Sequence, residues 1–434
     1  MIEHKYARKH LLDSFGAAVS AADPLRIVPS HLPPHRRVAP AGRTLVVGAG
    51  KAAAAMALAV ENHWPENAGL DGIVLTRYGH GLPLDRIEMV EAGHPLPDEQ
   101  GEQAARAILA QVKELGPDDL LLCLLSGGGS SLLSLPVEGV SLKDLRNVTW
   151  ELLGCGAAIQ EINIVRKHIS AILGGRLAAA CRAPVLALII SDVTGDDPTH
   201  VGSGPCAPDP TTYADALAIL EHYRVNTPDA VMKILQMGER GELNETPKPG
   251  DATFHHVENR VIASAHNSLL AAAEYFSGQG IPAVILGDSV TGEARDVAKV
   301  FSALVRESRR YGQPWEAPVA LISGGETTVT LGKNGIAGRG GRNTEFLLSL
   351  SIELAGAEDT YALACDTDGM DGTENNAGAM ASPDSLRRAR HKGINAGALL
   401  AGHDSYAFFQ QLDDLVVTGP TRTNVNDYRV ILLL

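Results

Sequence analysis

Short apolar runs recur along the chain, and each gives way to a glycine-rich or acidic loop. They lie at residues 43–50 (RTLVVGAG), 72–79, 119–129 (DLLLCLLSGGG), 184–197 (PVLALIISDVTGDD), 260–268, 282–294, 318–328 (PVALISGGETT) and 360–372 (TYALACDTDGMDG). Between several of them the apolar positions take a helical period, over Lys51–Glu61, Asp98–Leu115, Ser268–Gln279 and Ala294–Arg310. Strand and helix in alternation predict an α/β fold, with parallel sheets covered on both faces. In such sheets ligands bind beyond the carboxyl ends of the strands, where this chain keeps its Gly, Ser and Asp clusters. The texture changes at 238–259, which is polar, contains two prolines and has no sustained period. It predicts a linker, and two domains over 1–245 and 256–434. A weak internal echo, SGGGSSLL at 126–133 and SGGETTVT at 323–330, suggests two glycine turns facing one cleft from the two domains.

Composition narrows the function. A length of 434 residues is ample for two cores, and 45% apolar residues with only 4% aromatic ones fit an Ala/Gly-rich α/β enzyme. The net charge of −14 repels nucleic acid and anionic membranes. An anionic small-molecule substrate would therefore need local cations. The five cysteines form no C-x-x-C pair, so reduced thiols are expected rather than disulfides or zinc. No apolar run reaches membrane-span length and the N-terminus has no signal core, which points to the cytoplasm. Composition leaves a homo-oligomer open.

The loops supply the chemistry. VVGAGKAA fits G-x-G-x-x-A through Gly48, Gly50 and Ala53, but the next strand ends Thr76-Arg77, where a dinucleotide site would place an acid. Lys51 is expected in the first helical turn, where the helix dipole disfavours a cation unless it faces an anion. Ser126, Gly127, Gly128, Gly129, Ser130 and Ser131 offer backbone amides and hydroxyls to phosphate, without the lysine that a P-loop carries. Arg166, Lys167 and His168 form a basic cluster on a helical pattern. Asp192 follows a strand directly and could act as a base, whereas Asp196 and Asp197 also suit turn chemistry. GRGGRNTEF places Arg339, Arg342 and Asn343 among glycines. Asp366, Asp368 and Asp371 resemble the start of a calcium loop but lack its later ligands.

With these loops in order, the chain resembles glycerate 2-kinases of the two-domain type that ends in a MOFRL domain; bacterial members are often labelled hydroxypyruvate reductases of tartrate utilisation. The resemblance rests on GAGKAA, LSGGGSSLL, NIVRKHIS, SDVTGDDP…GSGPCAPDPTT, SGGETTVT, GRGGRNTEF, DTDGMDG and TGPTRTNVND. It implies a larger Rossmann-like domain with helices on both faces, a second α/β domain whose MOFRL region runs from about 316 to 428, and an active site in the cleft between them. It implies transfer of the ATP γ-phosphate to the 2-hydroxyl of D-glycerate, with Mg²⁺. The family's reactive lysine matches Lys51 and its C-terminal arginine matches Arg342. Two departures stand out: Leu173 replaces a usual lysine, and Arg422 stands where a small residue is common.

On that resemblance, the glycine loop with Gly50 is assigned to ATP phosphates, and the missing charge to Lys51, Lys167 and Arg342. Arg342 would hold either the transferring phosphate or the glycerate carboxylate. Arg166, Glu326 and Asn343 are assigned to substrate, Asp192 to the base, and Asp197 or Asp366 to Mg²⁺. The rival reading is an NAD(P)H-dependent hydroxypyruvate reductase.

Overall fold

The computed structural model describes residues 4–33, 42–330 and 338–434. The chain divides into two compact units: Pro24–Ile262, and Met1–Asp23 together with Ala263–Leu434.

The Pro24–Ile262 unit is built on a six-stranded sheet. Its strands are β1 (Thr44–Ala49), β2 (Leu70–Arg77), β3 (Glu88–Ala92), β4 (Leu120–Leu125), β5 (Val185–Ile190) and β6 (Val257–Ala263), in the order β3-β2-β1-β4-β5-β6. The pairs β2–β3, β1–β2, β1–β4 and β4–β5 are parallel. β1, β4 and β5 are buried at every residue, so their apolar runs do not alternate: helices cover both faces. This is the doubly wound order, whose direction of winding reverses between β1 and β4. Ligands in such sheets bind at that reversal, beyond the strands' carboxyl ends. A separate apolar cluster (Val148, Leu152, Ile162, Val165, Tyr213, Leu220, Leu235) packs four helices together. One of them, Ile159–His168, carries the basic triplet.

The other unit holds a mixed sheet of β7 (Ala283–Glu293), β8 (Val319–Thr328), β9 (Thr360–Asp366), β10 (Gly378–Ala381), β11 (Leu415–Val416) and β12 (Asp427–Leu433), ordered β11-β10-β9-β12-β8-β7. Only β7–β8 is parallel among the described pairs. Alternate residues feed opposite faces. Val430 and Leu432 join one apolar cluster with Phe276 and Leu363, while Ile431 and Leu433 join the other with Phe346 and Phe408.

The division differs from the sequence boundaries in two places. The first helix, His4–Ala21, lays Ala7, Leu11, Phe15 and Ala18 on the sheet of the C-terminal unit, so in the structure these residues pack with that unit. The strand expected at 260–268 begins at Val257 and completes the first sheet beside β5, its Val257 and Val261 packing on that sheet's core. Among the described residues no helix is long and apolar enough to cross a membrane.

Candidate active site

In the Pro24–Ile262 unit the β1 and β4 loops meet at the winding reversal. The Lys51 amide donates to the Gly127 carbonyl at 2.9 Å, and the Ala52 amide donates to Ser126 Oγ at 3.0 Å. Lys51 and the glycine loop are thus stitched together through the backbone. Gly50 has φ +139°, and a Cβ there would lie 2.6 Å from the Ser126 carbonyl oxygen. Gly128 has φ +83°, and a Cβ would meet the His94 ring at 2.8 Å. These contacts explain why glycine stands at both positions. Lys51 is half-buried and lies in the turn itself, because the helix starts only at Ala53. Its charge therefore does not oppose a helical first turn, as the sequence pattern had it.

Not every polar group of the loop faces outward. Ser126 Oγ holds the Ala52 amide, Ser131 Oγ donates to the Gly128 carbonyl at 3.1 Å, and Ser130 Oγ bonds Ser203 Oγ at 2.7 Å. The Gly127 and Gly128 amides take no backbone acceptor among the described residues. Asp192 is half-buried and lies two residues beyond β5, which pairs with β4. Lys51, the glycine loop and Asp192 therefore follow three adjacent strand ends.

Asp197 accepts from the Thr199 amide at 2.9 Å and from the Thr199 hydroxyl, both through Oδ1. Burial works against its charge, but the Thr199 bonds and the fields of His200 and Lys167 outweigh it and lower its pKa. Its Oδ2 has no partner among the described residues.

The basic triplet turns inward. Lys167 is 1% exposed and pairs at 3.1 Å with Asp209, which is wholly buried. Asp209 also accepts from the Thr211 amide and hydroxyl, at 3.1 and 2.7 Å. The Lys167 charge is thus balanced inside the unit by Asp209. His168 is buried, with Nδ1 against the Ile164 carbonyl at 2.8 Å; burial lowers its pKa although Asp209 and Glu245 lie near. Arg166 is almost wholly buried between Thr149 and Asn163, with contacts of 3.5 and 3.3 Å, and burial lowers its pKa to about 10. It has no carboxylate partner among the described residues. Leu173 is core, 2% exposed, in the turn packed on the first sheet.

The second cluster lies in the C-terminal unit. Arg342 opens the helix Arg342–Leu354 and gives each guanidinium nitrogen to a different carboxylate. Nε donates to Asp427 at 2.8 Å, Nη2 to Asp366 at 2.9 Å and Nη1 to Glu326 at 2.6 Å. Burial disfavours its charge, but Asp427, Asp366 and Glu326 override it and hold its pKa well above the ordinary value. Asn343 donates to Asp427 at 2.7 Å, and Arg429, itself buried, donates to the other Asp427 oxygen. Asp371 receives the Asn343 and Thr344 amides at 2.9 and 2.8 Å, capping this helix; burial raises its pKa. Asp366 has both oxygens engaged, one by Arg342 and one by the Asp368 amide at 3.0 Å.

Sequence reasoning missed Asp427, Arg429, Asp371 and Asp209 as partners. Asp427 and Arg429 stand two apart on β12 and share one face, a period-two signal hidden at the edge of the TGPTRTNVND loop.

Magnesium was assigned to Asp197 or Asp366. Mg²⁺ commonly takes one or two carboxylates and completes its shell with substrate phosphates and water. Asp197, with one oxygen uncommitted, fits such a role better than Asp366, whose two oxygens each already accept a hydrogen bond. Among the described residues no group of three His, Cys, Asp or Glu side chains could hold a metal by itself.

Two family models match successive parts of the chain. The family model described as "Domain of unknown function (DUF4147)" matches residues 10–236, and that of the MOFRL family matches 319–427. A protein of Agrobacterium vitis named "Putative hydroxypyruvate reductase" is 51% identical over 428 residues, covering 98% of this chain and 94% of its own. The "D-glycerate 2-kinase" of Thermotoga maritima is 37% identical over 436 residues, covering all of both chains. A crystal structure of glycerate kinase from Thermotoga maritima superposes with a TM-score of 0.86 at 36% identity, over 99% of this chain and 100% of that one.

Proposed function

The chain belongs to the family that joins a DUF4147 domain to a MOFRL domain, and on that premise we propose that it is a glycerate 2-kinase. It transfers the γ-phosphate of ATP to the 2-hydroxyl of D-glycerate, giving 2-phospho-D-glycerate and ADP. The observation that carries the reading is the backbone tie between Lys51 and Gly127 at the winding reversal. It sets a lysine beside a loop with unengaged glycine amides, the combination that anionic phosphate requires.

Phosphoryl transfer asks the protein for positioning and charge neutralisation more than for covalent chemistry. In this scheme the Gly127 and Gly128 amides bind phosphate oxygens, with Gly50 and the three serines holding the loop in shape. Lys51 neutralises charge developing on the transferring group. Asp192 takes the proton of the 2-hydroxyl. Arg342 meets a substrate oxyanion, either the carboxylate or the phosphate, with Asn343 orienting it through Asp427. Arg166, a buried cation without a carboxylate, is assigned to the acidic substrate. Mg²⁺ supplies further charge neutralisation to the polyphosphate when bound, and Asp197 is the residue suited to ligate it. Lys167 serves the fold through Asp209.

The 51% identical relative and the doubly wound sheet favour one alternative, NAD(P)H-dependent reduction of hydroxypyruvate. The end of β2 at Arg77, with no acid for a ribose, would suit NADPH rather than NADH, but the reductase reading leaves the glycine loop and the acidic loops unexplained. Paired assays separate the readings: ADP release that depends on D-glycerate supports the kinase, and loss of NADPH absorbance that depends on hydroxypyruvate supports the reductase.

A further inference from the structure

The three carboxylates on Arg342 are not equivalent. Asp427 is wholly buried and is also held by Asn343 and Arg429. Asp366 has a side chain 7% exposed and also takes the Asp368 amide. Glu326 has a side chain 52% exposed, and among the described residues Arg342 is its only side-chain partner. Its backbone is fixed, since β8 pairs Glu326 with Thr291 of β7 in parallel register. Charge singles out the same residue. Three carboxylates share two guanidinium groups, Arg342 and Arg429. Without Glu326 the count balances, and Nη1 is the nitrogen left without an acceptor.

We propose that Glu326 is a built-in stand-in for the substrate's oxyanion. It occupies the outward nitrogen of Arg342 while substrate is absent, and gives way to a carboxylate or phosphate group when substrate arrives. This rests on the assignment of Arg342 to substrate in the kinase reading. The exchange conserves the ion pair: one N–H···O⁻ bond breaks as an equivalent one forms, and the displaced carboxylate goes to water. Only the exposed carboxylate can leave so easily, because freeing Asp427 would strand the buried Arg429. Glu326 then tunes affinity downward and keeps weakly bound anions off Arg342.

The test is calorimetric titration of the full-length chain, wild type, E326Q and E326A, with D-glycerate alone and with inorganic phosphate alone. Removing the competing charge tightens binding of at least one ion by up to about fivefold, the range that exposed ion pairs command. The D-glycerate arm reports a carboxylate at Arg342 and the phosphate arm a phosphate. The double variant E326Q/R342Q loses the gain. Equal or weaker binding in both single variants overturns the proposal. So does a gain that survives R342Q, and so does failure of every protein to bind either ion. Phosphoglycerate formation by the wild type is measured alongside. Its absence refutes the kinase reading, while a tightened ion affinity in E326Q still upholds the exchange at Arg342.

Discussion

The Lys167–Asp209 pair can be tested by a double-mutant cycle. The two groups lie 3.1 Å apart, at 1% and 0% exposure. At an effective dielectric of about 20, charges at that separation attract by roughly 5 kcal/mol. Lys167→Met leaves a buried carboxylate supported by Thr211 and by the His168 ring 3.9 Å away, and Asp209→Asn leaves a buried ammonium. Breaking a buried pair from one side costs about 3–5 kcal/mol, a large part of the 5–15 kcal/mol typical of a whole domain. Removing both charges leaves neither group stranded, so the double variant costs less than the two singles added, by about 0.5–3 kcal/mol. Urea unfolding followed by far-UV circular dichroism at pH 7.5 gives all four corners. Turnover of the folded double variant stays within about tenfold of wild type, since Lys167 meets no phosphate. The reasoning fails if either single variant costs under about 1 kcal/mol, as an exposed pair would. It also fails if the double variant folds but loses turnover by the factor of about 10²–10³ expected for a lost transition-state contact.

Other perturbations follow from the same geometry. Lys51→Ala removes the cation at the glycine loop and lowers kcat with D-glycerate and ATP by about 10²–10³; a kcat near wild type would remove Lys51 from the chemistry. Gly128→Ala forces a Cβ into a left-handed backbone position against His94, which costs about 1–3 kcal/mol and weakens ATP binding in a titration; unchanged affinity would mean that the loop does not bind phosphate. Burial depresses the His168 pKa, so below the unfolded value of about 6.5 the unfolded chain binds the extra proton and stability falls as pH falls. The melting temperature should drop between pH 7.5 and 5.5, less steeply in His168→Gln; identical slopes would contradict this.

The fold was legible where the chain is uniformly apolar. β1, β4 and β5 are buried throughout, and runs of that kind read as central parallel strands whatever surrounds them. β3 (EMVEA) carries no such run, because its residues are mostly half-exposed at a sheet edge. β12 is less legible because its first residue, Asp427, closes a polar loop motif. The first helix could not be placed from sequence, since an apolar stripe says that a helix is buried but not against which sheet. The same limit applied to the charges. Lys51, Arg342 and the glycine loop carried local signals of their own. That Lys167 pairs with Asp209, and that Arg342 meets Asp427, depends on contacts 42 and 85 residues apart, which no local pattern encodes.

The central claim is phosphoryl transfer to the 2-hydroxyl of D-glycerate, and ³¹P NMR of the product tests it most directly. Protein, ATP, Mg²⁺ and D-glycerate are incubated and the spectrum is compared with authentic 2- and 3-phosphoglycerate. The account predicts a 2-phosphoglycerate resonance that grows as ADP appears. A 3-phosphoglycerate resonance, or no phosphorylated product at all, would contradict it.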